Sequence, residues 1–374
     1  MSRRSLFSTG LLVALTLALS LVWSGCENSA DITAPTVEDT QVFTPDTQQF
    51  ESVMRLQLRE TKRFMDMPDV VGTATGLNDR GEPVIQILTE KAMPAGRLPR
   101  SIDGVEVVEV ITGKLVAMKG RPGGGGGGGG GVSHTAIQTP PIQLGTSGGW
   151  RYDLANGYCC GGTLGSLVNI GGSQYIMSNY HVLEADIVDG GNNRVASTND
   201  PVIQPALIDV NCNAGSAQEV ATLVVKNALP GNNVDVAVAK VISNMVRSDG
   251  AILEIGTLSS ATVAAFINQA VKKSGRTTGL GRAKVSGLNA TVNITYDNEC
   301  AGGTAFTKQF TGQIVLTNKG SKFLAGGDSG SLMVEDVNND PRAVGLLYAG
   351  SRSSAIANPI DDVLGFLGAT MVGN

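Results

Sequence analysis

Residues 324–333 read LAGGDSGSLM, and within them Asp328 and Ser329 stand between Gly327 and Gly330, immediately ahead of an apolar run. Glycine, aspartate and serine all tolerate tight backbone geometry, so the stretch could be a plain turn. It could also carry a nucleophilic serine, because glycine-rich backbone leaves N–H groups free to bind an oxyanion. These ten residues do not separate the two interpretations, but the rest of the chain does.

A serine nucleophile needs a general base, usually histidine, because its hydroxyl is weakly acidic. The chain has only two histidines. His134 follows a tract of glycines, and we expect it to be a solvent-exposed linker residue. His181 lies in QYIMSNYHVLEAD (174–186), at the end of an apolar strand. A histidine in that place is more often structural when it has no partners, so its role depends on the other groups.

The base in turn needs a carboxylate that fixes its tautomer. Asp235, in NNVDVAVAKV (232–241), stands at the mouth of an apolar strand, although ordinary strands also begin with aspartate. No histidine follows Ser329, and Ser331 occupies the last glycine position of G-x-S-x-G, which excludes the α/β-hydrolase order. The order His181, Asp235, Ser329 is the chymotrypsin order.

Four segments together resemble those of trypsin-like serine peptidases: CGGTLGSLV (160–168), SNYHVL, VDVAVAKV and GDSGSL. With VKKSGRTTGL (271–280), they are most similar to the bacterial and plant narrow-leaf-type trypsin-like peptidases. The likeness covers residues 145–374. It implies an all-β main domain of two antiparallel six-stranded β-barrels, with the catalytic groups in the cleft between them. The residues at 358–371 separately predict a closing helix, with Asn358 as cap and Pro359 at its first position.

The resemblance implies a role for each catalytic residue. Ser329 would attack the acyl carbon, His181 would take its proton and later pass it to the leaving group, and Asp235 would orient His181. The backbone N–H groups of Gly327 and Ser329 would form the oxyanion hole, where a side chain at position 327 would hinder the approach of a carbonyl.

The resemblance also implies substrate-binding residues. Phe323, six residues before the nucleophile, would lie at the base of the specificity pocket, although an ordinary core position is the alternative. Tyr348 and Gly350 resemble the strand that pairs with the substrate backbone. No IVGG-like new N-terminus precedes the domain, so we expect Asp328 to hold a backbone N–H or a basic side chain instead of an inserted ammonium.

Other motifs carry less specific predictions. SGRTTG indicates a turn with a buried or paired Arg276, with an anion subsite as the alternative. DVNND (336–340) lacks the glycine and distal glutamate of a calcium loop and predicts a hairpin turn. We expect no metal and no organic cofactor. Disulfides are favoured over a zinc site, the adjacent pair being expected to reach separate partners, but the pairing stays open among Cys159, Cys160, Cys212 and Cys300.

The N-terminal part predicts export. Residues 1–25 form a basic start and an apolar core, typical of an export signal of the lipoprotein type, with Cys26 acylated after cleavage. Residues 26–48 predict a flexible tether. The expected location is the bacterial cell envelope, lipid-anchored to a membrane; ordinary secretion or a retained anchor are the alternatives. The net charge of −5, without Lys/Arg runs in the body, argues against a nucleic-acid partner.

Between tether and main domain, residues 49–120 predict a small α/β module, with one helix followed by strands. A Gly-rich linker is expected over 121–144, and the peptidase domain over 145–374. The module would serve folding or docking, or act as an inhibitory segment in cis that is released at the glycine tract.

The functional expectation is a serine endopeptidase that hydrolyses protein or peptide substrates through an acyl-enzyme. The alternative is a catalytically silent peptide-binding protein that keeps the fold. Oligomeric state and substrate identity stay open.

Overall fold

A computed structural model of the chain describes residues 47–120, 131–155, 158–185, 194–226, 228–229, 231–296 and 305–374. The predicted signal, Cys26, the tether and Cys300 lie outside the described residues, so they stay predictions. No helix in the described ranges is long and apolar enough to cross a membrane.

The described residues form three α-helices and a larger set of strands. In chain order they are α1 (Thr47–Met65), β1 (Val70–Leu77), β2 (Pro83–Thr89), β3 (Ser101–Ile102), β4 (Val105–Ile111), β5 (Val116–Ala117), β6 (Thr146–Trp150), β7 (Leu154–Ala155), β8 (Tyr158–Cys159), β9 (Gly162–Leu164), β10 (Ser166–Ile170), β11 (Ser173–Ser178), α2 (Tyr180–Leu183), β12 (Pro201–Gln204), β13 (Gln218–Val224), β14 (Ala237–Val241), β15 (Ala270–Gly275), β16 (Gly279–Tyr296), β17 (Phe306–Thr317), β18 (Leu332–Glu335), β19 (Ala343–Gly350), β20 (Ser354–Pro359), α3 (Ile360–Leu367) and β21 (Thr370–Met371).

The main body has two large sheets with almost wholly antiparallel pairing, and β7 and β8 form a separate two-stranded sheet. Within the described ranges, the first has eight strands in the order β21-β10-β11-β14-β13-β12-β6-β9. The second has eleven, along the path β15-β18-β19-β20-β17-β16-β1-β2-β4-β3 with β5 beside it. The strands are rich in valine, isoleucine and alanine. Because successive side chains of a strand point to opposite faces, these apolar residues form a buried layer on one face of each sheet. The predicted all-β class is confirmed.

The N-terminal module has the predicted composition of one helix followed by strands. The apolar face of α1 buries Val53, Leu56 and Phe64 against strand residues such as Ile85. β1 and β2 form an antiparallel hairpin, and β4 joins β2 in parallel. β1 also pairs with β16, where Gly72 lies opposite Val292. Both sheets therefore have more strands than the six expected, the second because the module extends it.

The prediction that His134 is an exposed linker residue was wrong. Its side chain is buried: Nδ1 donates to the Gly145 carbonyl at 2.8 Å, and Nε2 lies 2.7 Å from a carboxylate oxygen of Glu254. Nearby Ile142 and Leu144 are buried as well. Because Glu254 is 120 residues away in the chain, local composition gave no sign of this partner.

One disulfide joins Cys159 and Cys212, which lie 53 residues apart in the chain. Cys160 is disulfide-bonded as well. The prediction that the adjacent cysteines reach separate partners is confirmed.

Candidate active site

His181 lies at the point where β11 ends and the chain turns into the short helix α2. The neighbouring Val182 and Leu183 are fully buried in the core of the first sheet. Because these apolar anchors fix the helical turn, the imidazole is held in one place. His181 itself is only 2% exposed.

The structure brings His181 and Asp235 into contact. The imidazole Nδ1 donates to Asp235 Oδ2 at 2.6 Å, and the His181 backbone N–H donates to Oδ1 at 3.3 Å. Asp235 lies just ahead of β14, which pairs with β11 so that Ala237 stands opposite Ser178. Antiparallel pairing of two strands thus joins residues that are 54 positions apart.

Three further residues hold Asp235, and sequence reasoning missed all of them. The Tyr296 hydroxyl donates to Oδ2 at 2.8 Å, the Asn179 amide donates to the Asp235 carbonyl at 2.7 Å, and the Asp235 N–H donates to Asn358 Oδ1 at 2.9 Å. Burial, followed by the Asp235 charge, raises the pKa of Tyr296 well above its usual value. The phenol therefore stays a neutral donor to the carboxylate.

The predicted cap of the closing helix was one residue off. Helix α3 begins at Ile360, with Pro359 in the cap position. The Asn358 side chain points instead to the Asp235 N–H and to Gln313, to which its amide donates at 2.6 Å. Asn358 therefore does not cap the helix. Its buried amide needs several hydrogen bonds, and residues distant in the chain provide them.

We expect Asn358→Leu to lower the free energy of unfolding by about 1–3 kcal/mol, because it leaves the buried Asp235 N–H without an acceptor. Chemical denaturation measures this. Asn293→Ala removes a half-exposed amide with one 3.3 Å hydrogen bond, and this control should change stability by about 0.5 kcal/mol or less. Equal losses in the two variants would contradict a supporting role for Asn358.

Ser329 lies in a tight turn just before β18. Gly327 and Gly330, on either side of the pair, have φ values of 102° and 91°, which side chains rarely tolerate. A Cβ at Gly330 would lie 2.1 Å from Ser178 Oγ. These glycines are therefore required by the turn, which answers why the strand does not simply continue through this stretch.

The serine hydroxyl is hydrogen-bonded to a backbone carbonyl and not to the histidine. Ser329 Oγ donates to the Tyr348 carbonyl at 3.0 Å, and His181 Nε2 has no hydrogen-bond partner within the described part of the chain. The two residues nevertheless lie near each other. A Cβ on Gly162 would be 3.0 Å from the Ser329 carbonyl and 2.6 Å from Val182, the residue after His181.

The loop before the serine presents a backbone donor to a peptide carbonyl. Gly327 N–H donates to the Met118 carbonyl at 2.7 Å. The loop is pinned by two threonines: Thr277 Oγ1 donates to the Gly326 carbonyl at 2.7 Å, and Thr163 Oγ1 donates to the Gly327 carbonyl at 2.9 Å. The Gly327 N–H thus faces a peptide carbonyl, and the oxyanion roles of the Gly327 and Ser329 N–H groups stay predictions.

Asp328 anchors the same loop, and its predicted partners are both present. Its carboxylate accepts from the Thr277 and Thr278 backbone N–H groups at 2.9 and 3.1 Å and lies 3.2 Å from Lys273 Nζ. Burial lowers the pKa of Lys273, and the Asp328 charge opposes that shift. The cationic partner of Asp328 is therefore the buried side chain of Lys273 and not an inserted N-terminal ammonium.

Arg276 is paired as predicted. It is 2% exposed and donates to both carboxylate oxygens of Asp209, at 2.7 and 2.6 Å. Such a two-pronged pair fixes the turn that carries Thr277. The turn at 336–340 connects β18 and β19, which confirms the predicted hairpin. No cluster of three or more metal-ligating side chains occurs in the described ranges.

The three predicted substrate-binding residues lie around one segment of this same chain. Tyr348 accepts at its carbonyl from the Met118 N–H at 3.0 Å, and Gly350 pairs with Val116. Phe323 is 2% exposed and belongs to the buried apolar cluster that contains Met118. The sequence predicted a strand near Met118 but gave no sign that it lies beside Ser329.

The candidate groups come from both sheets. His181 and Asp235 belong to the first, and Ser329 precedes β18 of the second.

No family model and no curated protein matches the chain. Solved structures similar to it include a glutamic acid specific serine protease (19% identity, TM-score 0.39), which is covered over 100% of its length by 62% of this chain. Protease A of Thermobifida fusca (19%, TM-score 0.40) and a chymotrypsin of Cellulomonas bogoriensis (19%, TM-score 0.38) are each covered over 99% of their length by 62% of this chain.

Proposed function

We propose that the chain is a serine endopeptidase that hydrolyses peptide bonds through an acyl-enzyme. The observation that carries the proposal is the Met118 carbonyl, held by the Gly327 N–H at 2.7 Å in the turn that ends at Ser329. A donor aimed at a carbonyl oxygen beside a nucleophile is what acyl transfer requires.

In this mechanism, the Ser329 hydroxyl leaves the Tyr348 carbonyl and turns to His181 Nε2, which accepts its proton as Oγ attacks. The 2.6 Å bond to Asp235 keeps the proton on Nδ1, so Nε2 stays free to accept. The imidazolium then passes the proton to the leaving nitrogen. Catalytic hydrogen bonds commonly tighten only when substrate is bound, so a side-chain rotation at Ser329 is compatible with this role.

A catalytically silent peptide-binding protein is the second candidate. One observation favours it: the serine hydroxyl is bonded to the Tyr348 carbonyl and not to His181. Under this alternative, the cleft would hold a peptide without cutting it.

Labelling with a fluorophosphonate separates the two candidates, because an activated serine displaces fluoride and becomes covalently modified. The Met118 carbonyl is held in the turn that contains the buried Ser329, so the full-length chain is tested both as wild type and with Met118→Asp, which puts a charge into an apolar pocket and should release the segment. We expect labelling in the Met118→Asp chain, and its loss when Ser329→Ala or His181→Ala is added.

Absence of serine-dependent labelling in both the wild-type and the Met118→Asp chains would overturn the peptidase proposal and leave the binding protein. Labelling that persists after Ser329→Ala would remove this serine as the nucleophile.

A further inference from the structure

Residues 116–120, named here the cleft segment, lie along the strand that was predicted to bind the substrate backbone. Ala117 and Val116 in β5 pair antiparallel with Ala349 and Gly350 in β19. The Met118 N–H then donates to the Tyr348 carbonyl at 3.0 Å. The cleft segment thus extends the second sheet by one short strand, which is a common way for a protein to bind an extended peptide.

The next group along the segment is the Met118 carbonyl, which accepts from the Gly327 N–H. The peptide bond between Met118 and Lys119 is therefore the one whose oxygen lies against the candidate oxyanion donor. Ser329 is two residues beyond that donor in the same turn.

On the C-terminal side of this bond, the segment contacts residues near β6 and β9 of the first sheet. Lys119 Nζ donates to the buried Asp153 carboxylate at 3.0 Å, and the Gly120 N–H donates to the Gly161 carbonyl at 2.8 Å. A Cβ on Gly326 would lie 3.0 Å from the Lys119 carbonyl. The chain is thus fixed on both sides of the Met118 carbonyl, and it runs from one sheet to the other across the serine.

The Met118 side chain fills an apolar site. It is only 9% exposed and belongs to the buried cluster that includes Phe323, Leu324 and Leu347. An unbranched apolar side chain fits such surroundings, whereas a charged one would be buried there without a partner. The site beside the nucleophile therefore favours an apolar residue before the cut.

The candidate catalytic groups are buried while the cleft segment is in place. Ser329 and Asp235 have no exposed surface, and His181 is 2% exposed. No second peptide can reach the serine until the segment moves.

We propose that the cleft segment inhibits the enzyme and is its first substrate: Ser329 cleaves the bond between Met118 and Lys119 of its own chain. The inference rests on the proposed function and names the substrate and the regulation of that site. It also moves the release point suggested by the sequence, from the glycine tract to the bond just ahead of it.

The step balances as an ordinary hydrolysis. Ser329 Oγ bonds to the Met118 carbonyl carbon while its proton passes to His181 Nε2. The bond from that carbon to the Lys119 nitrogen breaks, and the nitrogen takes the proton from His181. Water then attacks the ester, giving up a proton through His181 to Ser329 Oγ, which leaves a carboxylate at Met118 and an amino terminus at Lys119.

The test follows the purified full-length chain over time by intact mass spectrometry and N-terminal sequencing. We expect two fragments, one ending at Met118 and one beginning at Lys119, with a first-order rate that does not change with protein concentration. Ser329→Ala should stay intact. Met118→Leu, which keeps an apolar side chain, should be cut at the same bond, whereas Met118→Asp should be cut there about 10²-fold more slowly or not at all.

Three results would overturn the inference. One is a wild-type chain that stays intact while Met118→Asp shows Ser329-dependent fluorophosphonate labelling; the peptidase proposal would then stand and self-cleavage would fall. Another is a cut at a different bond only. The third is cleavage between Met118 and Lys119 at an unchanged rate in Ser329→Ala. Absence of labelling in every variant is a separate outcome, because it removes the proposed function together with the inference.

Discussion

We expect substitution of Asp235 by asparagine to lower the rate of the proposed peptide hydrolysis about 10⁴-fold, with the fold intact. The physical reason lies in the three hydrogen bonds that the carboxylate accepts. Oδ1 receives the His181 backbone N–H, so an amide at this position turns its oxygen there and its NH₂ toward Nδ1. The imidazole then carries its proton on Nε2, where it cannot accept one from Ser329.

The measurement compares initial rates on denatured casein, with Met118→Asp present in every chain so that the cleft is open. Tyr296→Phe is the matched control. It removes one donor from the same Oδ2 but keeps the negative charge, so we expect a loss of only about 10-fold. Equal losses for Asp235→Asn and Tyr296→Phe would show that the carboxylate does not set the histidine tautomer.

Lys273→Met is expected to lower the free energy of unfolding by about 3–5 kcal/mol, because it leaves the Asp328 charge buried without its cation. Both side chains of this pair have no exposed surface. Asp328 also holds the loop that carries Gly327, so serine labelling should fall together with stability. Chemical denaturation and fluorophosphonate labelling measure the two effects.

Two further variants control this result. Lys62→Met makes the same change in an exposed pair with Asp66 and should cost less than about 1 kcal/mol. Lys273→Met combined with Asp328→Asn removes both charges and should be more stable than Lys273→Met alone. A double variant that is no more stable than Lys273→Met alone would contradict coupling between these groups.

Much of the site could be predicted because the signals are local. Glycines around Ser329, an aspartate at a strand mouth and a histidine at a strand end are each visible within about ten residues. Their chain order then selected one fold class. The pairings of Asp328 and Arg276 were predicted in kind, since a charged group next to apolar strands needs a partner when it is buried.

What could not be predicted depends on partners that are far apart in the chain. The glycine tract ahead of His134 indicated a linker residue in solvent, but the imidazole is hydrogen-bonded to Glu254. Asn358 carried a helix-cap signal, but its acceptor oxygen holds a backbone N–H 123 residues away. The position of Met118 beside Gly327 arises from strand addition, which involves backbone groups that every residue has and which therefore leaves no mark in composition.

The pairing of β1 with β16 has a consequence for the proposed cut, because it joins the N-terminal module to the rest of the chain. The proposed cut would leave the main-chain pairing at Gly72 and Thr73 untouched, so the two pieces would stay joined along β1 and β16. Departure of the smaller piece would strip one flank of the long β16 hairpin and bare a row of unpaired amides. A strand of a partner or of a substrate protein could then pair with the edge of β16 that β1 had occupied.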